Sequence, residues 1–143
     1  MTVPLRAPTR SRDAGFVAIE WVAAIALLLL PVVALVGTLP TWAERSHAAT
    51  VAAREAARDL EEHWPGGDPA TAELVARYVV ADHGIPAGDV QVRVLSAGSA
   101  PGDQIRVEVR VRMPAIAMPG MNRVASWTYA AVASLRVDDY RSR

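Results

Sequence analysis

The 143-residue chain contains no cysteine and no lysine, so its 15 strongly basic residues are all arginine. The absence of cysteine excludes disulfides, thiol catalysis and thiolate metal sites. It leaves the compartment open, because domains without disulfides fold on both sides of a membrane. The absence of lysine excludes Schiff-base catalysis and ubiquitin-like tagging of lysine side chains.

Aromatic residues and a charge excess of either sign are also scarce. Aromatic residues make up 6% of the chain, and 15 acidic residues balance the 15 arginines, which gives a formal net charge of zero. This balance argues against a nucleic-acid-binding surface. The hydrophobic content nevertheless reaches 52%, so it consists mostly of aliphatic residues and alanine. Such residues are either distributed through a core or concentrated in a membrane segment.

The apolar residues are concentrated in one run, from Phe16 to Val36, in which Glu20 is the single charged residue. As a helix this run would be about 31 Å long, close to the roughly 30 Å thickness of the hydrocarbon layer of a bilayer. We therefore expect a transmembrane helix over residues 16–37. A buried helix of a soluble protein is the structural alternative, although such helices rarely run this long without a polar stripe.

Several residues within and after this run bear on the shape of the helix. Pro31 lies inside the run, where membrane helices tolerate proline. Gly37, Thr38 and Pro40 are expected to loosen the helix where it leaves the membrane. Trp42 follows them, at a position suited to the headgroup layer.

The charges before the run predict its orientation. The N-terminal residues include three arginines that are expected to hold this end in the cytoplasm, namely Arg6, Arg10 and Arg12. Residues 1–15 are therefore interpreted as a basic cytoplasmic leader, and residues 38–143 as an extracytoplasmic domain of a single-pass protein in the cell membrane.

Glu20 requires an explanation, because a carboxylate at the centre of a membrane helix costs about 2.5–3.5 kcal/mol. No arginine lies within the run to neutralise it. Glu20 follows Phe16 by four residues, which is about 6 Å along a helix. A cut between Gly15 and Phe16 would create an α-amino group at a similar depth, and Glu20 of a neighbouring copy could then neutralise it.

The residues around this position resemble the processing site of type IV pilin-like proteins, in which a prepilin peptidase cuts after glycine and a glutamate follows five residues later. Gly15, Phe16 and Glu20 occupy these places, and Trp21 stands where the tight-adherence branch commonly has an aromatic residue, more often tyrosine. The segment Ala52–Arg58 is similar to the alanine-rich segment of TadE-like pseudopilins. Beyond about residue 60 only the order of elements agrees.

The resemblance implies a minor pseudopilin or pilus-assembly component of a tight-adherence pilus or a related secretion apparatus. It implies that a prepilin peptidase removes residues 1–15 and that Phe16 is then N-methylated. Glu20 and Trp21 would serve in recognition and assembly, with Glu20 pairing with the new amino group of an adjacent subunit. The implied partners are the membrane, the peptidase, other pilin-like subunits and the pilus assembly platform.

The membrane helix is expected to continue into an amphipathic helix over residues 43–63. Its small apolar residues recur at three- and four-residue steps, and they are Ala49, Ala53, Ala56 and Leu60, with Trp64 continuing the face. This alanine stripe favours close contact either with a partner helix or with the domain's own sheet.

A second helix is predicted to begin after Asp68, which is its N-cap, with Pro69 in the first turn. Gly84 is expected to end it. The buried face predicted for this helix consists of Leu74, Val75, Tyr78 and Val79.

Beyond the second helix the apolar period changes to two, which predicts strands over residues 90–94, 105–113 and 126–137. Turn residues at 98–103 favour an antiparallel hairpin. The expected fold is α+β, with a three-stranded antiparallel sheet packed on the helices. The apolar segment 114–121 is predicted either to fold back onto the core or to contact a partner or lipid.

The chain shows no residue pattern typical of catalysis or metal binding. None of the three histidines, at positions 47, 63 and 83, has a second histidine three or four residues away. Glu61 and Glu62 are adjacent on a helix, so their side chains point about 100° apart and cannot flank one substrate bond. We therefore expect no enzyme, no catalytic residues, no cofactor, no metal and no nucleic-acid partner.

Two other functions fit the same residues. One is an uncleaved single-pass envelope protein whose outer domain binds a ligand or supports an enzyme. The other is a secreted domain released by ordinary signal peptidase. For the second, the hydrophobic run is longer than usual, and the candidate cut after residues 41–43 fits poorly.

Overall fold

The structure is a computed structural model that describes residues 13–115 and 126–138, with side chains from residue 18 onward. Its elements are α1 (Asp13–Glu62), α2 (Pro69–Asp82), a 3-10 turn (Ala87–Asp89), β1 (Val90–Ala97), β2 (Gln104–Arg112) and β3 (Thr128–Arg136). A long apolar N-terminal helix, a short second helix and an antiparallel sheet form an α+β arrangement, which confirms the predicted fold class.

Helix α1 is a single helix of 50 residues, about 75 Å long. It passes through Gly37 and Pro40 without a break, so the prediction that the helix loosens there is wrong. The hydroxyl of Thr38 donates to the carbonyl of Leu35 at 2.7 Å, within the same helix. An interior proline costs about 3 kcal/mol, and packing of the following turns against the domain offsets this cost.

The C-terminal half of α1 packs against α2, β2 and β3. Its alanine stripe is at most 1% exposed and consists of Ala48, Ala49, Ala52, Ala53, Ala56 and Ala57. Leu60 and Trp64 continue the buried face, as predicted. Of the two alternatives for the stripe, the structure selects the domain's own elements, because α2 and the sheet cover these alanines.

The ends of α2 confirm the predicted capping. The backbone N–H of Ala70 donates to Asp68 Oδ1 at 3.0 Å, and the hydroxyl of Thr71 donates to Asp68 Oδ2 at 3.2 Å. Pro69 is the first residue of the helix. Gly84 follows the C-cap with φ of +70°, a left-handed conformation that glycine adopts without a steric penalty.

The buried face predicted for α2 is wrong for Leu74 and Tyr78, whereas Val79 packs against the core. Leu74 and Tyr78 are 56% and 75% exposed, and Val75 and Val79 are only half-buried. The buried residues are instead Ala72, Ala76 and Val80. The distance between packed helices depends on the side chains at their contact, and small residues let α2 pack closely on the alanine stripe of α1. Bulky residues at the contact would hold the two helices apart.

The sheet has the order β1-β2-β3, and both pairs of strands are antiparallel. The central strand faces the helices with four fully buried side chains, those of Ile105, Val107, Val109 and Val111. The three predicted strands and their hairpin are confirmed. Strand β1 is longer than expected because it continues through a bulge between Val94 and Ser96, where Leu95 is 50% exposed.

The turn between β1 and β2 is organised by Asp103. Its Oδ2 atom accepts hydrogen bonds from the backbone N–H and hydroxyl of Ser99, both at 2.9 Å, and from the N–H of Ala100 at 2.8 Å. These bonds lower the pKa of the Asp103 carboxyl, and the bond from Ala100 has the largest effect. Gly98 has φ of +68°, and a Cβ atom there would lie 2.9 Å from Val137 Cγ2, so this turn requires glycine.

Candidate functional site: the apolar half of helix α1 and its junction with the domain

The N-terminal half of α1 is an uncovered apolar surface. An 18-residue window of the helix has a mean hydropathy of 2.7, and none of it is buried. Leu27, Leu28 and Val33 are 76%, 72% and 68% exposed. The helix is long and apolar enough to cross a membrane. The alternative of a buried helix in a soluble core does not fit, because within the described residues no element covers this surface.

Glu20 and Trp21 lie on this uncovered half, where the side chain of Glu20 is exposed and that of Trp21 is 67% exposed. Glu20 makes no ion pair with any residue that the structure describes. The described part of the chain therefore supplies no counter-ion for this acid. The expected pairing with another copy stays a prediction.

The rest of the predicted processing site is described in part or not at all. The backbone of Gly15 and Phe16 belongs to α1, and their side chains lie outside the described residues. The three arginines expected to set the orientation, Arg6, Arg10 and Arg12, also lie outside. The apolar segment 114–121 is described only as far as Ala115. The predictions on the leader, its cleavage and this segment are therefore untested.

Trp42 begins the junction between the two halves of α1. Its indole Nε1–H donates to the carbonyl of Pro114 at 3.1 Å. Its ring meets that of Trp127 edge to face, with centroids 5.8 Å apart and planes at 87°. Trp127 in turn meets Tyr129 edge to face at 6.5 Å. These three residues, called the aromatic cluster below, have the geometry in which aromatic pairs attract one another.

Arg45 makes the second contact at the junction. Its Nη1 atom donates to Asp89 Oδ2 at 3.1 Å and to the backbone carbonyl of Arg112 at 2.6 Å. The side chains of Arg45 and Asp89 are only 18% and 26% exposed. One guanidinium thus connects α1 with the start of β1 and the end of β2.

A second tryptophan fastens the far end of α1. Trp64 is 7% exposed, and its indole Nε1–H donates to the carbonyl of Gly98 at 3.1 Å. Trp42 lies about 30 Å along α1 from Glu62, the last residue of the helix, at a rise of 1.5 Å per residue, and Trp64 follows two residues later. Both ends of the packed half of α1 are therefore bonded to the sheet side of the domain, which fixes the domain relative to the apolar half.

The histidine and glutamate side chains that could serve in catalysis or metal binding are spread over the surface. The Nδ1 atoms of His63 and His83 lie 2.9 Å and 2.8 Å from carbonyls of their own helices, four residues back. Glu62 forms an ion pair with Arg58 at 2.8 Å. In the ranges 13–115 and 126–138, no three His, Asp or Glu side chains are placed to hold a metal ion.

Sequence reasoning missed most of the junction. It placed Trp42 at the membrane surface and Trp127 on the apolar side of the third strand, in both cases without their contacts, and it gave no binding role to Arg45 or Asp89. The partners are 44 to 85 residues apart in the chain, so no local spacing connects them. The available signal was that one large ring, Trp42, stands between the two predicted helical segments, and another, Trp127, begins the apolar side of the third predicted strand.

Comparisons of the chain with family models, curated proteins and solved structures found no match. The resemblance to TadE-like pseudopilins therefore depends on the residues of the N-terminal region alone.

Proposed function

We propose that the protein is a membrane-anchored, noncatalytic subunit of a tight-adherence pilus or a related secretion apparatus, in the manner of a TadE-like minor pseudopilin. The observation that carries this proposal is the construction of α1. One unbroken helix joins an uncovered apolar half, with Glu20 near its start, to a half that forms the spine of an α+β domain. This is the arrangement expected of a subunit that is anchored and assembled through one end.

The proposed mechanism has three steps. The arginines at positions 6, 10 and 12 keep the N-terminus in the cytoplasm, so the domain is extracytoplasmic. A prepilin peptidase then removes residues 1–15. Finally, Glu20 of one subunit pairs with the α-amino group of Phe16 on the next. Because an unpaired carboxylate in hydrocarbon costs about 2.5–3.5 kcal/mol, this pairing favours assembly over the isolated subunit.

The buried alanine stripe restricts where subunits can meet. Ala52 and Ala56 are fully covered by the domain's own elements, so they are unavailable to a partner helix. Helix contacts between subunits are therefore assigned to the apolar half that remains after cleavage, residues 16–41, where large aliphatic side chains are exposed.

Release of the domain by signal peptidase is less consistent with these contacts. A cut after residue 43 would fall inside α1 and would remove Trp42, whose indole bonds to Pro114. The buried stripe begins only five residues later, at Ala48. The cut would thus take away part of the domain's own packing.

N-terminal mass spectrometry of the protein purified from membranes tests the proposal. A mature chain that begins at Phe16 is expected, with a mass shift of one methyl group if the residue is modified. A chain that begins at Met1 or Thr2 would instead indicate an uncleaved anchor, and one that begins near Glu44 a secreted domain. Either result would refute processing by a prepilin peptidase.

A further inference from the structure

We propose that the aromatic cluster of Trp42, Trp127 and Tyr129 is a lipid-contact surface, which seats the outer domain directly on the headgroup layer of the membrane. This inference rests on the proposed membrane anchoring, and it adds a partner, the bilayer surface, for a part of the domain outside the span. The cluster lies on two separate stretches of the chain, α1 with Trp42 and the start of β3 with Trp127 and Tyr129, and the second belongs to the sheet of the folded domain.

The position of the cluster along α1 sets its depth. Leu39 is the last large aliphatic residue exposed on the apolar half, at 50%. Trp42 follows three residues later, about 4.5 Å further along the axis. The headgroup region adds about 5–7 Å on each side of the hydrocarbon. With the apolar half in the hydrocarbon, Trp42 therefore lies within the headgroup layer.

Side-chain direction reinforces this placement. In a helix the Cα–Cβ bond tilts toward the N-terminus, which for α1 is the side of the apolar half. The indole of Trp42 therefore leans toward the membrane, Trp127 meets it edge to face, and Tyr129 meets Trp127 in turn. Tryptophan and tyrosine prefer this zone, since each has an apolar ring and a polar group that stays hydrated.

The exposure of Trp127 is consistent with a lipid neighbour. Trp127 is 45% exposed, although it contacts two other rings, and its indole N–H bonds to none of the residues that the structure describes. The surface thus combines aromatic rings with an indole donor that no described residue accepts from.

The junction connects the apolar half of α1 rigidly to the aromatic cluster. Helix α1 is continuous from the apolar half to the end of the packed half. Arg45 and the two indoles of Trp42 and Trp64 bond the domain to it at both ends. The domain cannot be carried away from the bilayer on a flexible linker, so anchoring α1 places the aromatic cluster against the lipid.

The absence of cysteine allows a direct test with single labelled positions in the full chain. Thr128→Cys places a label at the cluster's end of β3, on the exposed face of the sheet, and Ser134→Cys is the matched control. Both residues are exposed on the same face of β3, about 20 Å apart along the strand. Leu28→Cys, in the apolar half, reports whether α1 is in the bilayer. Each variant is labelled with the fluorophore NBD and reconstituted at high dilution in phosphatidylcholine–phosphatidylglycerol vesicles.

Nitroxide lipids then measure the depth of each label. A nitroxide on the lipid headgroup is expected to quench the label at position 128 several-fold more strongly than the label at position 134. A nitroxide in the acyl chain is expected to quench the label at position 28. Equal, weak headgroup quenching at positions 128 and 134, with position 28 quenched, would overturn the lipid-contact surface and leave the anchor intact.

The remaining outcomes are also decisive. Absence of acyl-chain quenching at position 28 would refute the anchoring on which both proposals depend. If a second copy covers the cluster instead of lipid, energy transfer between labels at position 128 will persist at high dilution, in place of headgroup quenching. That result would overturn the proposal.

Discussion

Both halves of α1 have an apolar face, but the apolar side chains of the two halves differ in size. In the first half, leucine and valine predominate and are exposed, as Leu27 is at 76%. In the second half, alanine predominates and is buried, as Ala52 is at 0%. The difference shows that apolar character alone does not predict burial within the chain. The volume of the apolar side chains distinguishes the half that packs against the domain from the half that is exposed.

The physical reason lies in what each half contacts. Large aliphatic side chains bury the most surface when the neighbour is fluid hydrocarbon, which adapts to any shape. Alanine contributes less hydrophobic free energy, but it lets the backbones of α2, β2 and β3 approach α1 closely. The same helix is thus built for two different environments, and the change occurs at Trp42.

Replacing Glu20 with Gln is expected to have the largest effect, because it removes the one charge of the apolar half. Membrane insertion should stay intact, since a neutral amide is cheaper to bury. Loss of a buried ion pair costs about 2–5 kcal/mol, so assembled pili should fall by more than tenfold. Pilus yield and membrane fractionation of the variant measure the two effects.

Glu55→Gln is the control, since this acid is exposed on the packed half of the same helix. It should assemble normally. A normal pilus yield from Glu20→Gln would refute the proposed pairing between subunits.

Ala53→Leu tests the packed half. Ala53 is 1% exposed, on the face of α1 that packs against α2 and the sheet. The larger side chain of leucine does not fit there, so the free energy of unfolding should fall by about 1–3 kcal/mol. The reciprocal change, Leu28→Ala, removes volume from the apolar half and should leave domain stability unchanged. Urea unfolding followed by tryptophan fluorescence measures both. Equal stability of the two variants would contradict the distinction between the halves.

Trp42→Phe tests the boundary. This change keeps a ring but removes the hydrogen bond to the Pro114 carbonyl, which should cost about 0.5–1.5 kcal/mol of unfolding free energy. Trp21→Phe is the control, because Trp21 is 67% exposed and belongs to the apolar half. Hydrogen exchange should become faster around Pro114 in the first variant only. An identical exchange pattern in both would show that the indole does not fasten the junction.

Asp103 provides a smaller effect, at the end of the domain far from the apolar half. Its carboxylate accepts three hydrogen bonds in the folded protein, which lower its pKa. Its contribution to stability is therefore present above the unfolded value of about 3.9 and is lost as the pH falls through the folded value. Asp103→Asn should remove part of the acid sensitivity below about pH 4, as measured by urea unfolding at several pH values. An unchanged profile would contradict this role.

Local patterns predicted much of the fold. The apolar run, the alanine stripe and the alternation of the strands each appear within a short window, as does the cap at Asp68. The prediction for α2 failed because periodicity favoured Leu74 and Tyr78, whose size seemed suited to a core. The actual partner of α2 is a row of alanines, and this row requires small residues opposite it.

The candidate site was predicted less completely than the fold. Glu20 and Trp21 were identified from spacing, and the structure places both on the uncovered half of α1. The junction was missed, because Arg45 and Asp89 carry no motif. The two residues form an ion pair only because folding brings Arg45 Nη1 and Asp89 Oδ2 to 3.1 Å from each other.

The amino-acid sequence by itself determined that one helix is apolar enough to cross a membrane and that a small α+β domain follows, because composition and periodicity act over a few neighbouring residues. Only the tertiary structure decided that α1 does not loosen at Gly37 and Pro40, that small residues of α2 rather than its leucine and tyrosine face the core, and that Trp42 meets Trp127. Those outcomes depend on contacts between residues far apart in the chain, where the size and shape of one surface select what packs against it.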